Sequence, residues 1–408
     1  MRILYVVHDF FPRFYGGTER YVLNIGKQMQ RMGHSVTVLT YGLEDPVESY
    51  DSREADVLWK SYVYEGITVI SLRHRAIPAD IGFIIEDENL ENVIAGILKN
   101  QAFDLMHIAH PMRVACCYKA AQKLGIPVVL TLTDFWLLCP RGRFYKPDYT
   151  LCNSPEKGNK CIKECGVNAS IIKRYDDAQK MFENVDILIS PSRFLVESYK
   201  SNGWSRNILH INHGVDYRYV KPRTSREKNA GTVTFGYTGV VTRFKGVDLL
   251  LNAFSAVKAS GIALKIYGNC LWDTDFNVDL DMALQKDKRI QMMGKYEHED
   301  LPRVMDEIDI VVVPSSTLES YGLVVVESMA YGNPVIASDI VGSAYEYIRD
   351  GENGFIFPVS EPAALKDIIE KISHDHSIVE KLRSKISLPP RIEEEAFKVE
   401  SIYKRLFH

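Results

Sequence analysis

Short unbroken apolar runs recur along the chain, each followed by a stretch in which apolar residues return every three or four positions. Residues 3–7 (Ile-Leu-Tyr-Val-Val) form the first such run, the pattern of a strand buried on both faces. Gly16-Gly17-Thr18-Glu19 comes next. Thr18 is the expected N-cap of a helix over 19–32, which Gly33-His34 ends. Further strands are expected at 35–40, 67–72, 105–108, 128–132 and 187–189. After Pro222, the polar run 223–231 reads as a linker. A second series of strands is then expected at 233–237, 264–267, 290–292, 310–313 and 335–337. Strands alternating with helices predict an α/β protein made of two similar domains in tandem, each a parallel sheet with helices on both faces. The boundaries expected are 1–217 and 218–390, with a charged helix over 391–408 returning to the first domain.

The length of 408 residues fits this division, being too great for one ordinary core. A composition 46% hydrophobic and 25% charged is globular, which excludes a disordered chain. The net charge of −4 provides no field for nucleic acid, so none is expected as a partner. Arg141, Arg143 and Lys146 cluster locally and suit a phosphate-rich or membrane-proximal substrate. The opening apolar run is too short for a secretory signal, and no window approaches the ~20 apolar residues of a bilayer span. A cytoplasmic protein is expected, with peripheral contact at the inner face of the membrane as a further option.

In parallel sheets, ligands bind beyond the carboxyl ends of the strands, so candidate residues should follow strands. After 233–237 comes Thr238-Gly239-Val240-Val241-Thr242-Arg243-Phe244-Lys245-Gly246 and then an apolar helix. Gly239 allows close backbone approach, and Arg243 and Lys245 place cations beside a helix N-terminus, an arrangement suited to a diphosphate. A solvated Lys/Arg loop accounts for the same residues. After 310–313 the loop 314–322 carries Glu319, and the following helix carries Glu327. Between them Tyr321, Gly322 and Leu323 offer the unsatisfied N–H groups of a helix start. A glutamate that only stabilises the helix dipole is the plainer alternative. Gly294, past the 290–292 strand, joins the donor-binding candidates.

Four of the seven cysteines, Cys139, Cys152, Cys161 and Cys165, lie in a Gly/Pro/Asn-rich loop with too little apolar content to pack itself. Four thiolates there suit structural zinc or an iron–sulfur cluster, with disulfides or free thiols as alternatives. Cys116 and Cys117 sit in a helical stretch and are expected in the core.

Glu319-x7-Glu327 and the surrounding PSSTLESYGLVVVESMAYGNPVIAS resemble the two-glutamate motif of the retaining glycosyltransferases of family 4, which have the GT-B fold. Asn353-Gly354-Phe355 and the junction Asn212-His213-Gly214-Val215-Asp216 continue the likeness over nearly the whole chain. The resemblance implies two Rossmann-like domains facing across a cleft, and transfer of a hexose-type sugar from a UDP- or GDP-sugar to a saccharide or lipid-linked acceptor. Cell-surface polysaccharide, lipopolysaccharide or glycolipid assembly is the usual setting of such chains. It further implies that Glu319 contacts the donor sugar, Glu327 the donor ribose and Lys245 the diphosphate, without a metal ion in the transfer. Gly16 and Gly17 would then line the ligand site. Two positions depart from the family: Val240 stands where an arginine is usual, and Thr133 where many members have histidine. Arg243 is then the second cation, and Asp134 and His110 become candidates for orienting the donor sugar or the acceptor. A subset of the family shares the Cys-Pro-Arg-Gly element at 139–142. Rival readings are a nucleotide-sugar epimerase of the same fold, a sugar phosphorylase, and a non-enzymatic metal or redox scaffold.

Overall fold

The computed structural model describes residues 1–14, 16–217, 220, 231–270 and 274–407, leaving out the side chains of 274, 275 and 278. Most of the predicted linker lies outside the described residues. The chain divides into two compact units: Met1–His213 together with the segment from Ile392 onward, and Gly214–Arg391.

Unit 1 is built on nine strands: β1 (Arg2–Val6), β2 (Ser35–Tyr41), β3 (Ser52–Glu54), β4 (Val57–Tyr64), β5 (Ile67–His74), β6 (Leu105–Ile108), β7 (Val128–Thr131), β8 (Ile187–Ser190) and β9 (Ile208–His210). Their order is β3-β4-β5-β2-β1-β6-β7-β8-β9. From β5 through β9 neighbouring strands are parallel. The expectation of an all-parallel sheet fails at the edge, where β3, β4 and β5 pair antiparallel. The cause is the two-residue Glu65-Gly66 turn, whose φ values of 45° and 82° fold β4 directly back on β5. The first helix begins at Gly17 with extended Gly16 as its N-cap, not at Thr18. Glu19, the third helical residue, supplies the capping from inside by accepting the backbone N–H groups of Gly16 and Glu19.

The helix Ile392–Arg405 completes this unit. Ile392, Ala396, Val399 and Tyr403 recur at i, i+4, i+7 and i+11, so one face enters the core formed by Ile3, Tyr5, Val22 and Ile25. Burying such side chains contributes about 1.5–3 kcal/mol each before the entropy cost. Polar pairs fix the register of the helix: His34 with Glu400 at 3.0 Å, His213 with Glu395 at 2.9 Å, and the Tyr403 hydroxyl with both His107 and Tyr5.

Unit 2 carries β10 (Val233–Thr238), β11 (Ile262–Tyr267), β12 (Ile290–Gly294), β13 (Ile310–Val313), β14 (Val335–Ser338) and β15 (Gly354–Phe357). All pairs are parallel, in the order β12-β11-β10-β13-β14-β15. One face packs Phe235, Leu250, Phe254, Leu365 and Ile369; the other packs Val304, Met305, Val311, Val325 and Met329. Burial on both faces is why these strands read as unbroken apolar runs. Among the described residues, no helix is long and apolar enough to cross a membrane.

Candidate active-site residues in the two units

In each sheet the chain turns back past its first strand, and the crevice at that reversal lies outside the strands' carboxyl ends. In unit 2 the reversal falls between β10 and β13. The loops leaving these two strands carry Gly239, Lys245, Glu319, Tyr321 and Gly322.

Gly239 leaves β10 at φ 140°, a conformation open to glycine. A short 3-10 turn, Arg243–Lys245, then leads into the helix Val247–Ala256 through Gly246 at φ 68°. The loop after β13 is pinned on both sides. Ser316 N–H donates to Phe244 O at 3.0 Å, Glu319 N–H to Ile340 O at 2.9 Å, and Gly342 N–H to Glu319 O at 2.9 Å. This anchoring brings the Lys245 Nζ to 2.8 Å from the Glu319 Oε1, an oxygen that also accepts from the Ser315 hydroxyl. Two residues 74 positions apart are thus joined at the crevice.

Gly322 caps the helix Leu323–Ala330 at φ 90°, where a Cβ would come within 2.7 Å of Val341. Ser343 steadies the turn: its N–H donates to Tyr321 O at 2.6 Å and its hydroxyl to Gly322 O at 2.9 Å. Glu327 lies on this helix, close enough to Tyr296 and Tyr331 that its charge, after burial, raises both phenols. Gly294 ends β12 at φ 79° with open space where a side chain would be. Arg243, expected as a second diphosphate cation, follows Thr242 in the same turn as Lys245. Its guanidinium bonds Asp279 Oδ2 at 2.6 Å and lies over the Phe276 ring. Val240 is exposed.

In unit 1 the reversal falls between β1 and β6. His8 and Asp9 follow β1, and His110 and Arg113 follow β6. His110 accepts the Met112 N–H on Nδ1 at 3.3 Å, so its Nε2 is the protonated nitrogen and donates to Asp134 Oδ2 at 3.0 Å. Asp134 Oδ1 accepts the Trp136 N–H at 2.8 Å. The carboxylate is therefore oriented from two sides while remaining a third exposed (34%). Thr133 donates to Ala109 O at 2.7 Å and ties the loops after β6 and β7 together. His107 is fully buried against Thr131 and Tyr403, a core residue rather than a site residue.

Sequence reasoning missed a second group beside His110. The His8 Nε2 stands 3.6 Å from Asp9 Oδ2 and 3.5 Å from Glu19 Oε1, and its ring lies 4.1 Å from that of His110. Arg113, at φ 68°, donates to Asp9 Oδ1 at 2.6 Å. The signal available was Glu19 three residues beyond Gly16, the spacing of an inside cap, which points its carboxylate back at the strand end.

The four cysteines expected as metal ligands are neighbours in the loop: Cys139, Cys152 and Cys165 each act electrostatically on Cys161. Among the described residues, no three of the sulfurs of Cys139, Cys152, Cys161 and Cys165 lie within 4.8 Å of one another, and all four are free thiols. Burial pushes the Cys161 thiol up to about 12 and raises Cys152 and Cys165 as well. The start of the loop is held by the buried Arg174, which donates to Leu137 O at 2.9 Å and to Trp136 O and stacks on the Trp136 ring.

Comparison with known proteins agrees with this geometry. The model of Glycosyltransferase Family 4 matches residues 15–219, and that of Glycosyl transferases group 1 matches residues 221–387. A protein from Methanocaldococcus jannaschii described as an uncharacterized glycosyltransferase is 24% identical over 371 residues, covering 90% of this chain and 87% of its own. Sucrose-phosphate synthase from Thermosynechococcus elongatus superposes with a TM-score of 0.75 at 19% identity, over 100% of this chain and 99% of its own. Anabaena HepE, solved with UDP and glucose, gives 0.72 at 18% identity over 99% of both chains. The fold is that of the GT-B glycosyltransferases. The chain belongs to Glycosyltransferase Family 4.

Proposed function

We propose that this glycosyltransferase moves a hexose-type sugar from a UDP- or GDP-sugar to a saccharide or lipid-linked acceptor, with retention at the anomeric carbon. The observation that carries the reading is the juxtaposition of Lys245 and Glu319 at the strand reversal of unit 2. Lys245 meets the donor diphosphate, and the amide groups at Tyr321, Gly322 and Leu323 add the positive end of a helix. Glu319 accepts hydrogen bonds from the donor sugar, and Glu327 from the ribose. On the acceptor side, Asp134, held by His110, orients the incoming hydroxyl.

The bond from the anomeric carbon to the diphosphate oxygen breaks as the bond to the acceptor oxygen forms on the same face. The acceptor proton passes to the departing diphosphate. Positioning and charge stabilisation of the leaving group supply the rate, and no metal ion is required in this step. Cell-surface polysaccharide or glycolipid assembly at the cytoplasmic face of the membrane suits the basic residues Arg141, Arg143 and Lys146.

The test is a thermal-shift panel with UDP-, GDP-, ADP- and dTDP-sugars, followed by NMR of the glycoside formed with the stabilising donor. A selective shift and a product of unchanged anomeric configuration are expected. An inverted product would overturn the retaining step. Donor epimerised without acceptor would overturn the transferase reading.

A further inference from the structure

His8, Asp9 and Glu19 each offer one metal-ligating atom, and these atoms all lie within 4.8 Å of one another. Among the described residues this is the one such group of three. The spacing is informative. The His8 Nε2 is 3.6 Å from Asp9 Oδ2 and 3.5 Å from Glu19 Oε1. An N–H···O bond closes to about 2.7–3.2 Å, so the imidazole is not hydrogen-bonded to either carboxylate. Two ~2.1 Å metal bonds diverging at the tetrahedral angle put their donor atoms ~3.4 Å apart, close to what is observed.

The outer atoms of the group are held as those of metal ligands are. Arg113 donates to the other oxygen of Asp9 at 2.6 Å. The backbone N–H groups of Gly16 and Glu19 hold the Glu19 carboxylate. Each carboxylate is thereby fixed by outside donors while Oδ2 and Oε1 turn toward the imidazole. His8 and Asp9 follow the exit of β1, and Glu19 lies in the first turn of the helix Gly17–Arg31. Asp9 is 6% exposed and Glu19 4%, so two carboxylates share a site nearly closed to water. Arg113 balances one of them; a divalent cation would balance the other.

We propose that unit 1 binds a divalent first-row transition ion through His8 Nε2, Asp9 Oδ2 and Glu19 Oε1. The ion takes one nitrogen and two oxygen ligands, a set suited to Mn2+, Co2+ or Zn2+, and completes its shell with water or a ligand hydroxyl. Its place is the reversal between β1 and β6, beside the His110–Asp134 pair. The proposal does not depend on the roles assigned to residues of unit 2.

The test is a Co2+ titration of the chelator-treated full chain, read by absorbance. One equivalent should bind, with visible d–d bands and without the near-ultraviolet charge transfer of a thiolate ligand. His8→Gln and Glu19→Gln should each weaken binding about 100-fold or more, and Cys161→Ser should leave it unchanged. Glutamine at 19 can still accept the Gly16 N–H, so that variant keeps the helix cap and its folding is checked by circular dichroism. Absence of Co2+ uptake, thiolate charge transfer lost in Cys161→Ser, or binding indifferent to both glutamine variants would each overturn the proposal.

Discussion

The ammonium of Lys245 rests 2.8 Å from the carboxylate of Glu319, across the strand reversal of unit 2. Each group fixes the position of the other, so the cation is poised at the crevice without a substrate to hold it. A donor diphosphate would compete with Glu319 for Lys245 and free that carboxylate to accept sugar hydroxyls. Lys245→Met should weaken nucleoside-diphosphate binding about 10- to 100-fold by calorimetry, the weight of one charge-assisted contact.

Glu319→Gln keeps the side chain's shape and one acceptor oxygen but removes its charge. Turnover should fall about 100- to 1,000-fold, while the melting temperature changes little because a part-exposed ion pair adds about 1 kcal/mol at most. Near-normal turnover would sink the role given to Glu319.

Gly246 is needed for two reasons at once: φ of 68°, and a backbone so close to Pro314 that any Cβ would collide with its carbonyl oxygen. Gly246→Ala should cost more than ~3 kcal/mol and displace Lys245 with the turn. Chemical denaturation of unit 2 measures the loss. A fully stable alanine variant would contradict this packing.

Glu307 gathers hydrogen bonds from Lys265 at 2.7 Å, Tyr267 at 2.6 Å and Arg303 at 3.0 Å. Burial alone would raise its pKa, but the bonds from Lys265 and Tyr267 prevail and hold it at about 2. A carboxyl depressed in the folded state contributes stability that is present above its unfolded pKa of about 4.3 and fades as the pH falls toward 2. Glu307→Gln should therefore cost about 1–2 kcal/mol at pH ~7, narrowing toward pH ~3. Melting temperatures of both proteins across that range give the comparison.

Tyr403 places one hydroxyl on both His107 and Tyr5 in the buried heart of unit 1. Tyr403→Phe leaves the His107 Nδ1 without this partner and should destabilise the unit by about 1–3 kcal/mol. Hydrogen exchange in the helix Ile392–Arg405 should quicken with it. Unchanged protection there would mean that apolar packing alone seats the helix.

Much of this was legible in the residues. The runs at 3–7 and 310–313 announced buried strands because both faces of each sheet are covered, and Glu319 and Lys245 stood where loops must follow strands. Other parts depended on information that no local stretch contains. The pairing of Arg243 with Asp279 joins a loop to a helix 36 residues away. Thr18 looked like a cap by residue type, but Glu19 caps from within the helix and leaves the N-cap to glycine. Strand β4 escaped notice because its partner is fixed by Glu65-Gly66, a pair whose residue types only weakly announce two left-handed conformations. In the cysteine loop, composition displays four thiols but not the buried Arg174 that holds the start of the loop.

The return of the helix Ile392–Arg405 to unit 1 orders events during synthesis. Unit 2 is one continuous stretch, Gly214–Arg391, whose sheet can close as soon as that stretch has left the ribosome. Unit 1 emerges earlier yet finishes later, because Ile392, Ala396, Val399 and Tyr403 must cover the apolar side of Tyr5, Val22 and Ile25. Throughout the translation of unit 2 the nascent chain bears that uncovered surface, the feature by which a chaperone would recognise it.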